Sequence, residues 1–104
     1  TAYVNRGYLL NDLQQPEQAA ADFEQALRRE PKNGEAHLGL AFAYLELNRS
    51  QAAVRQSQLA ENILGDSELL HVIRATEYGR QGLRTKASAE YHAALKFRAN
   101  DGTL

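Results

Sequence analysis

Cysteine is absent from the 104-residue chain, which excludes disulfides and thiolate metal sites and leaves the redox compartment open. Methionine is absent too, so the chain is expected to be a piece of a longer one, and the lack of a signal-peptide pattern then carries no weight. Neither sign of charge is in excess. The formal net charge of −1 supplies no global field that would draw the protein to nucleic acid or to an anionic membrane. Long hydrophobic runs are missing as well. The longest apolar-rich stretch, Leu38 to Leu47, contains Glu46 and is far too short to cross a bilayer, so no membrane insertion is expected. There is no glycine-rich phosphate loop and no G-x-S-x-G elbow. The Glu, Asp, Ser and His side chains are scattered at positions that suit solvated helix faces. No enzyme activity and no cofactor are expected.

What the chain does contain is a repeat. Tyr3, Gly7, Leu10, Ala19, Phe23, Ala26 and Pro31 recur 34 residues later as His37, Ala41, Tyr44, Ala53, Ser57, Ala60 and Gly65. A second step of 34 gives His71, Ala75, Tyr78, Ala87, Tyr91, Ala94 and Ala99. Three of the seven slots hold a small residue in every copy, and two more hold a bulky ring or chain. Self-similarity at a fixed period of this length signals a stacked repeat architecture.

Each unit reads as two helices. Tyr3, Gly7 and Leu10 mark one face at spacings of four and three, the period of a buried helical stripe. Leu13-Gln14-Gln15-Pro16 ends the first helix, and proline suits the first position of the next. Ala19, Phe23, Ala26 and Leu27 form the second buried stripe, which stops near Pro31-Lys32-Asn33-Gly34. The second unit spans helices from Glu35 to about Leu47 and from about Gln51 to Leu64. Asn48 can take the left-handed conformation at a helix end, Ser50 is expected to cap the following helix, and Gly65 to terminate it. The third unit follows Ser67, turns near Gly82 and runs through Lys86 to Arg98. Asn33, Ser67 and Asp101, again 34 apart, are expected N-caps.

The pattern of an aromatic, a glycine or alanine, a tyrosine, then alanine, aromatic, alanine and proline resembles the tetratricopeptide repeat, over essentially the whole chain. The resemblance implies an all-α fold: a right-handed α-α superhelix, or solenoid, of three helix-turn-helix repeats with six helices. The units are 1–33, 34–67 and 68–101, with 102–104 the start of a truncated fourth repeat. Departures are local. Arg6 and Arg74 stand where the family places leucine, kept here only as Leu40, Ser57 replaces a large residue, and only the first copy ends in proline.

The resemblance also places a concave groove on the first helix of each unit. It is lined by Val4, Asn5, Tyr8 and Asp12, then Glu35, Leu38, Gly39, Phe42 and Glu46, then Leu69, Val72, Ile73, Thr76 and Arg80. The helical period independently puts Val4/Tyr8, Leu38/Phe42 and Leu69/Val72/Ile73/Thr76 on apolar stripes beside the buried one. Such a surface suits the apolar face of an amphipathic helix or peptide, unless the protein's own chain fills it. Slots that hold a basic clamp in the chaperone-binding branch of the family carry Val4, Tyr8, Gly39, Leu69 and Ile73, so a chaperone C-terminal carboxylate is not the expected partner. An RNA-binding helical-hairpin family is also disfavoured, because Asp12, Glu35 and Glu46 outnumber Arg80 in the groove and RNA binding needs Lys and Arg on phosphates.

His37 and His71 raise the question of a metal. They occupy the packing-aromatic slot, and the residues one turn on are Ala41 and Ala75, so three or four convergent ligands are not in view. His92 is expected at the surface. The expected function is therefore a scaffold or adaptor module for protein–protein interaction. The alternative is a non-catalytic repeat segment attached to an enzyme domain that lies outside this chain. Tyr91, Ala94, Leu95 and Phe97 on the last helix are expected to be left uncovered and to favour self-association.

Two helices of a hairpin approach closely only where side chains are small. Ala53→Leu is expected to overpack that contact at a cost of about 1–3 kcal/mol. Gln51→Leu, two residues away on the outer face, should leave the melting temperature nearly unchanged. Equal thermal shifts for the two variants would refute the alignment of the repeats.

Overall fold

A computed structural model of the chain describes residues 2–100. They form six helices: α1 (Ala2–Asp12), α2 (Pro16–Arg29), α3 (Gly34–Glu46), α4 (Ser50–Leu64), α5 (Glu68–Arg80) and α6 (Arg84–Asn100). No strand occurs among the described residues. The all-α, six-helix expectation is met. The chain divides into two compact units, one with α1 to α4 (residues 1–65) and one with α5 and α6 (residues 66–104).

The first unit is built around Phe23, which is fully buried. A Cβ on Gly7 of α1 would stand 2.8 Å from its Cζ atom, and one on Gly39 of α3 only 2.2 Å away. The ring therefore fills the space that two absent side chains vacate, and three helices close on it. Val4, Ala19, Ala20, Ala26, Ala36, Leu40 and Ala43 complete the core around it, with Tyr3, Tyr8, Leu10, Leu27 and Tyr44 packed against its edge. Burying one large apolar side chain of this kind contributes about 1.5–3 kcal/mol. All six small residues of the hairpin slots, Gly7, Ala19, Ala41, Ala53, Ala75 and Ala87, are buried. Gly34 serves a second close approach: a Cβ there would meet Leu64 at 2.5 Å and Ile63 at 3.0 Å.

Helix ends repeat as strictly as helix faces. Gln14, Asn48 and Gly82 all have positive φ, at 59°, 60° and 78°. Each is followed by the same bond: Gln15 N to Leu10 O, Arg49 N to Tyr44 O and Leu83 N to Tyr78 O, at 2.8–2.9 Å. Gln14, Asn48 and Gly82 themselves donate to Asn11, Leu45 and Gly79 carbonyls, each at 3.1 Å. This pair of bonds is the Schellman closure, which satisfies carbonyls left open at a helix end. Asn48 and Gly82 are residues that such a site selects, whereas Gln14 gives no such signal in the sequence.

Helix starts follow the expected caps with one correction. Asn33 Oδ1 accepts from Ala36 N at 3.1 Å, and Ser67 Oγ accepts from Leu70 N at 3.3 Å. Pro16 opens α2 as its first residue. Ser50, however, is not the cap of α4. Arg49 is, without a side-chain bond, and Ser50 already lies in the first turn. The reason is the Schellman closure at Asn48, which places Arg49 at the entry to α4 one residue early. Asp101 and the segment 102–104 lie outside the described residues.

In the second unit Leu70, Ile73, Ala75, Ala87 and Ala94 are buried on α5 and α6. Glu77 is fully buried as well, at the register position of Ala43. Arg80 Nη1 lies 3.7 Å from its Oε1, and neither carboxylate oxygen accepts a hydrogen bond among the described residues.

The left-handed turns generate a prediction. A non-glycine residue in that conformation costs about 1–2 kcal/mol, so Gln14→Gly should raise the melting temperature and Gly82→Ala should lower it. Circular dichroism melts that moved both variants in the same direction would contradict the turn assignment.

Candidate functional site

The first helices of the units meet the second helices through one polar slot, occupied by Asp22, Gln56 and Glu90 at intervals of 34. In the first hairpin Arg6 grips Asp22 with two parallel bonds, Nε to Oδ2 and Nη2 to Oδ1, both 2.7 Å. Bidentate pairs of this geometry are the strong form of the ion pair. The Arg6 bonds hold the Asp22 carboxyl below the usual carboxylate range. In the second hairpin Gln56 Oε1 lies 2.7 Å from His37 Nδ1, while His37 Nε2 lies 2.8 Å from Pro31 O. In the third, Glu90 Oε2 lies 3.0 Å from His71 Nδ1. Asp66 Oδ1 stands 2.6 Å from His71 Nε2, a close contact without the alignment of a hydrogen bond. The Phe97 ring lies against His71, with centroids 5.7 Å apart.

His37 and His71 are thus buried packing rings with local polar partners. Among the described residues, no group of three or more His, Asp or Glu side chains is placed to hold a metal ion. His92 is exposed. The leucine-to-arginine departure at Arg6 has its physical account in Asp22, which offers a charged partner where leucine would offer packing.

Beside this framework, α1 and α3 run next to each other and share an open face. Tyr8 joins them: its ring meets Phe23 edge-on at 5.1 Å, and its hydroxyl donates to the Glu35 carbonyl at 2.7 Å. Burial, reinforced by the Glu35 charge, pushes the Tyr8 phenol up to about 12, so the hydroxyl keeps its proton at any working pH. Asn11 Nδ2 adds a second tie to the Gly39 carbonyl at 3.3 Å. Leu38 and Phe42 on α3 are half-buried and lie outside the set of residues packed on the core. Asn5, Asp12, Glu35 and Glu46 are exposed around them.

The sequence expectation needs three corrections here. Gly39 is buried against the Phe23 ring and lines no groove. Val4 is only 2 % exposed, closed in by α2 and α3 as part of the core, and cannot line a groove. Ile73 is 1 % exposed and sits at the register position of Gly39, a packing position. In the second unit Leu69 and Arg80 are exposed and Val72 and Thr76 half-buried, with the Thr76 hydroxyl turned back onto the Val72 carbonyl at 2.9 Å. A different apolar hollow, of about 370 Å³, opens between α5 and α6, lined by Glu68, Val72, Tyr91, Ala94 and Leu95. Phe97 does not belong to it, because its ring is spent on His71.

Paired antiparallel helices with small residues at the crossing, Schellman ends at a 34-residue interval and an aromatic wedged between successive first helices agree with one comparison. Residues 10–71 match the tetratricopeptide repeat family. The chain belongs to that family. No curated protein matches it. Tetratricopeptide repeats are protein–protein interaction modules and typically non-catalytic. None of the helices, among the described residues, is long and apolar enough to cross a membrane. What the sequence did not disclose in this repeat protein is the polar slot. Its signal was present, since Asp22, Gln56 and Glu90 are polar at a shared register inside otherwise apolar stripes.

A pH dependence follows from the Arg6–Asp22 pair. Folding favours ionised Asp22, so its stabilisation is complete above an unfolded-state value of about 3.9. It is lost as pH falls through the lower folded-state value. Because Arg6 is largely exposed, the effect is small and weakens with salt. Asp22→Asn should flatten the acid limb of a plot of melting temperature against pH. An acid limb identical to that of the parent would show the pair to be idle.

Proposed function

We propose that residues 1–33, 34–67 and 68–101 are three repeats of one interaction module that holds an apolar or amphipathic peptide segment. The first-helix face centred on Tyr8, Leu38 and Phe42 carries this binding. One observation supports the reading above the others: Leu38 and Phe42 present ring and chain half to solvent, on a helix whose packing needs are already met by Ala36, Gly39, Leu40 and Ala43. An apolar face beyond what the fold consumes marks an interaction surface. Asp12, Glu35 and Glu46 at its rim favour a segment with basic flanks. On the second unit Leu69, Val72, Thr76 and Arg80 form the corresponding first-helix surface. Val4 and Ile73 take no part.

Binding here is pre-organised. Tyr8 is fixed by its hydroxyl bond and by Phe23, and Asn11 ties α1 to α3, so the face loses little freedom when a segment docks. The face carries no basic clamp, so a ligand recognised by its C-terminal carboxylate alone is not the expected class. Attachment to an enzyme domain elsewhere in a longer protein would leave this role intact, with the repeats as the recruiting element.

The test is a peptide-display selection on the immobilised chain, followed by titration of the enriched peptides against the parent and Phe42→Glu. A loss of at least about tenfold in affinity, or about 1.4 kcal/mol, is expected, with the helical circular dichroism unchanged. If Phe42→Glu unfolds the domain, Phe42 is core and the face is misassigned. If it binds the same peptides equally well, the site lies elsewhere.

A further inference from the structure

The joint between α2 and α3 carries a chemistry that the packing holds in check. Asn33 is followed by Gly34, and no other asparagine of the chain precedes a glycine. The backbone nitrogen that follows an asparagine can close a five-membered imide on the side-chain amide, and a glycine there has no Cβ to obstruct the approach. In the folded chain that approach is blocked. Asn33 Oδ1 accepts from Ala36 N at 3.1 Å, which fixes the side chain. The Asn33 backbone N donates to Glu30 O at 3.0 Å, and its carbonyl accepts from His37 N at 3.2 Å. Its ψ is 102°, whereas the imide ring, which puts the Gly34 nitrogen in plane with Cβ and Cγ, needs a negative ψ. Gly34 itself is buried, and a Cβ on it would meet Leu64 at 2.5 Å and Ile63 at 3.0 Å. The peptide between residues 33 and 34 therefore cannot swing round while the first turn of α3 rests on the end of α4.

We propose that Asn33–Gly34 is a self-modification site, which deamidates only when the start of α3 opens away from α4. In the open segment the Gly34 nitrogen gives its proton to solvent base and attacks Asn33 Cγ. The new N–Cγ bond closes the imide, the Cγ–Nδ2 bond breaks, and Nδ2 takes a proton from water and leaves as ammonia. Water then opens the imide at one of its two carbonyls. Opening at Cγ leaves aspartate in an unchanged main chain. Opening at the Asn33 backbone carbonyl leaves isoaspartate, with the main chain routed through Cβ and Cγ. The two products differ in consequence. Aspartate keeps an oxygen for the Ala36 N–H and adds negative charge at a helix start, where that sign is favoured. Isoaspartate lengthens the main chain by a methylene just before Gly34, which has no spare room against Leu64, so α3 and α4 cannot both keep their places. The chemistry needs only water and base, and it is independent of the face around Tyr8, Leu38 and Phe42.

Mass-spectrometric peptide mapping over time at mildly alkaline pH, with the chain folded and in urea, tests the proposal. In urea, residue 33 should convert before any other asparagine. In the folded chain it should convert at least about tenfold more slowly, because only the open fraction reacts. Leu64→Ala removes the wall over Gly34 and should restore part of the lost rate with helical circular dichroism unchanged. Should that variant fail to fold, the parent still decides. Its conversion should rise in step with hydrogen exchange at the Ala36 amide as urea is raised below the unfolding transition, since one opening frees both groups. Chains isolated with isoaspartate at residue 33 should melt below the parent, and Asn33→Asp should not. Equal conversion rates in the folded and unfolded chain would overturn the proposal. So would a different asparagine reacting first in urea, or conversion that does not follow the Ala36 exchange.

Discussion

Everything in the first unit depends on the space around Phe23. A phenyl ring sits where Gly7 and Gly39 have no side chains, so one residue of α2 fixes both its own hairpin and the next first helix. Protein interiors tolerate neither voids nor overlap, and a methyl group on either glycine would overlap the ring. The close approach that results brings the α1 and α3 backbones within reach of each other's side chains. Tyr8 then reaches the Glu35 carbonyl and Asn11 the Gly39 carbonyl. The shared face of α1 and α3 is thus a consequence of the Phe23 packing. The register positions 34 and 68 residues on are filled differently, by Ser57, which bonds back to the Val54 carbonyl at 2.7 Å, and by Tyr91, which is left half exposed.

The repeat was legible because its strongest constraints are steric and local. Small residues at hairpin crossings, a proline at a helix start, and Asn33 and Ser67 as caps each act within a few residues or within one hairpin, and all were found at the expected positions. What escaped was set by turn closures that the residue types do not announce and by contacts between helices. Gln14 takes a left-handed turn because the closure at Leu10 requires it, although glutamine carries no such preference. Ser50 lost its capping role to a turn ending one residue earlier than its composition suggests. Val4 and Ile73 share a helical stripe with lining residues, yet the stripe is wide enough for part of it to face inward. Periodicity gives the angle of a side chain about its own helix and says nothing of which neighbour stands on that side.

The polar slot shows the same division. Asp22, Gln56 and Glu90 look like solvated second-helix residues until the hairpin closes on them. Each then bonds to a first-helix group of its own unit: a guanidinium from Arg6, an imidazole from His37, an imidazole from His71. Burying a polar group without a partner costs more than the bond returns, so the slot constrains pairs of residues rather than single ones. That is why Arg6 can depart from leucine at a core-facing position. Its head lies in solvent, its two donors meet the Asp22 carboxylate, and only that carboxylate is buried.

These constraints leave the chain with two kinds of apolar surface, which are open for different reasons. Leu38 and Phe42 are open because α3 already satisfies its packing with Ala36, Gly39, Leu40 and Ala43, so their exposure persists however the unit is covered on its other sides. Tyr91 and Leu95 are exposed at the α6 positions whose α2 counterparts, Phe23 and Leu27, are packed in the first unit. The first kind is surplus to the fold and free to recognise a different molecule. A segment that binds the first face needs apolar groups spaced to meet Tyr8, Leu38 and Phe42. The two surfaces therefore differ in origin: one is left over after α3 has packed, and the other repeats the register of a face that is packed in the first unit.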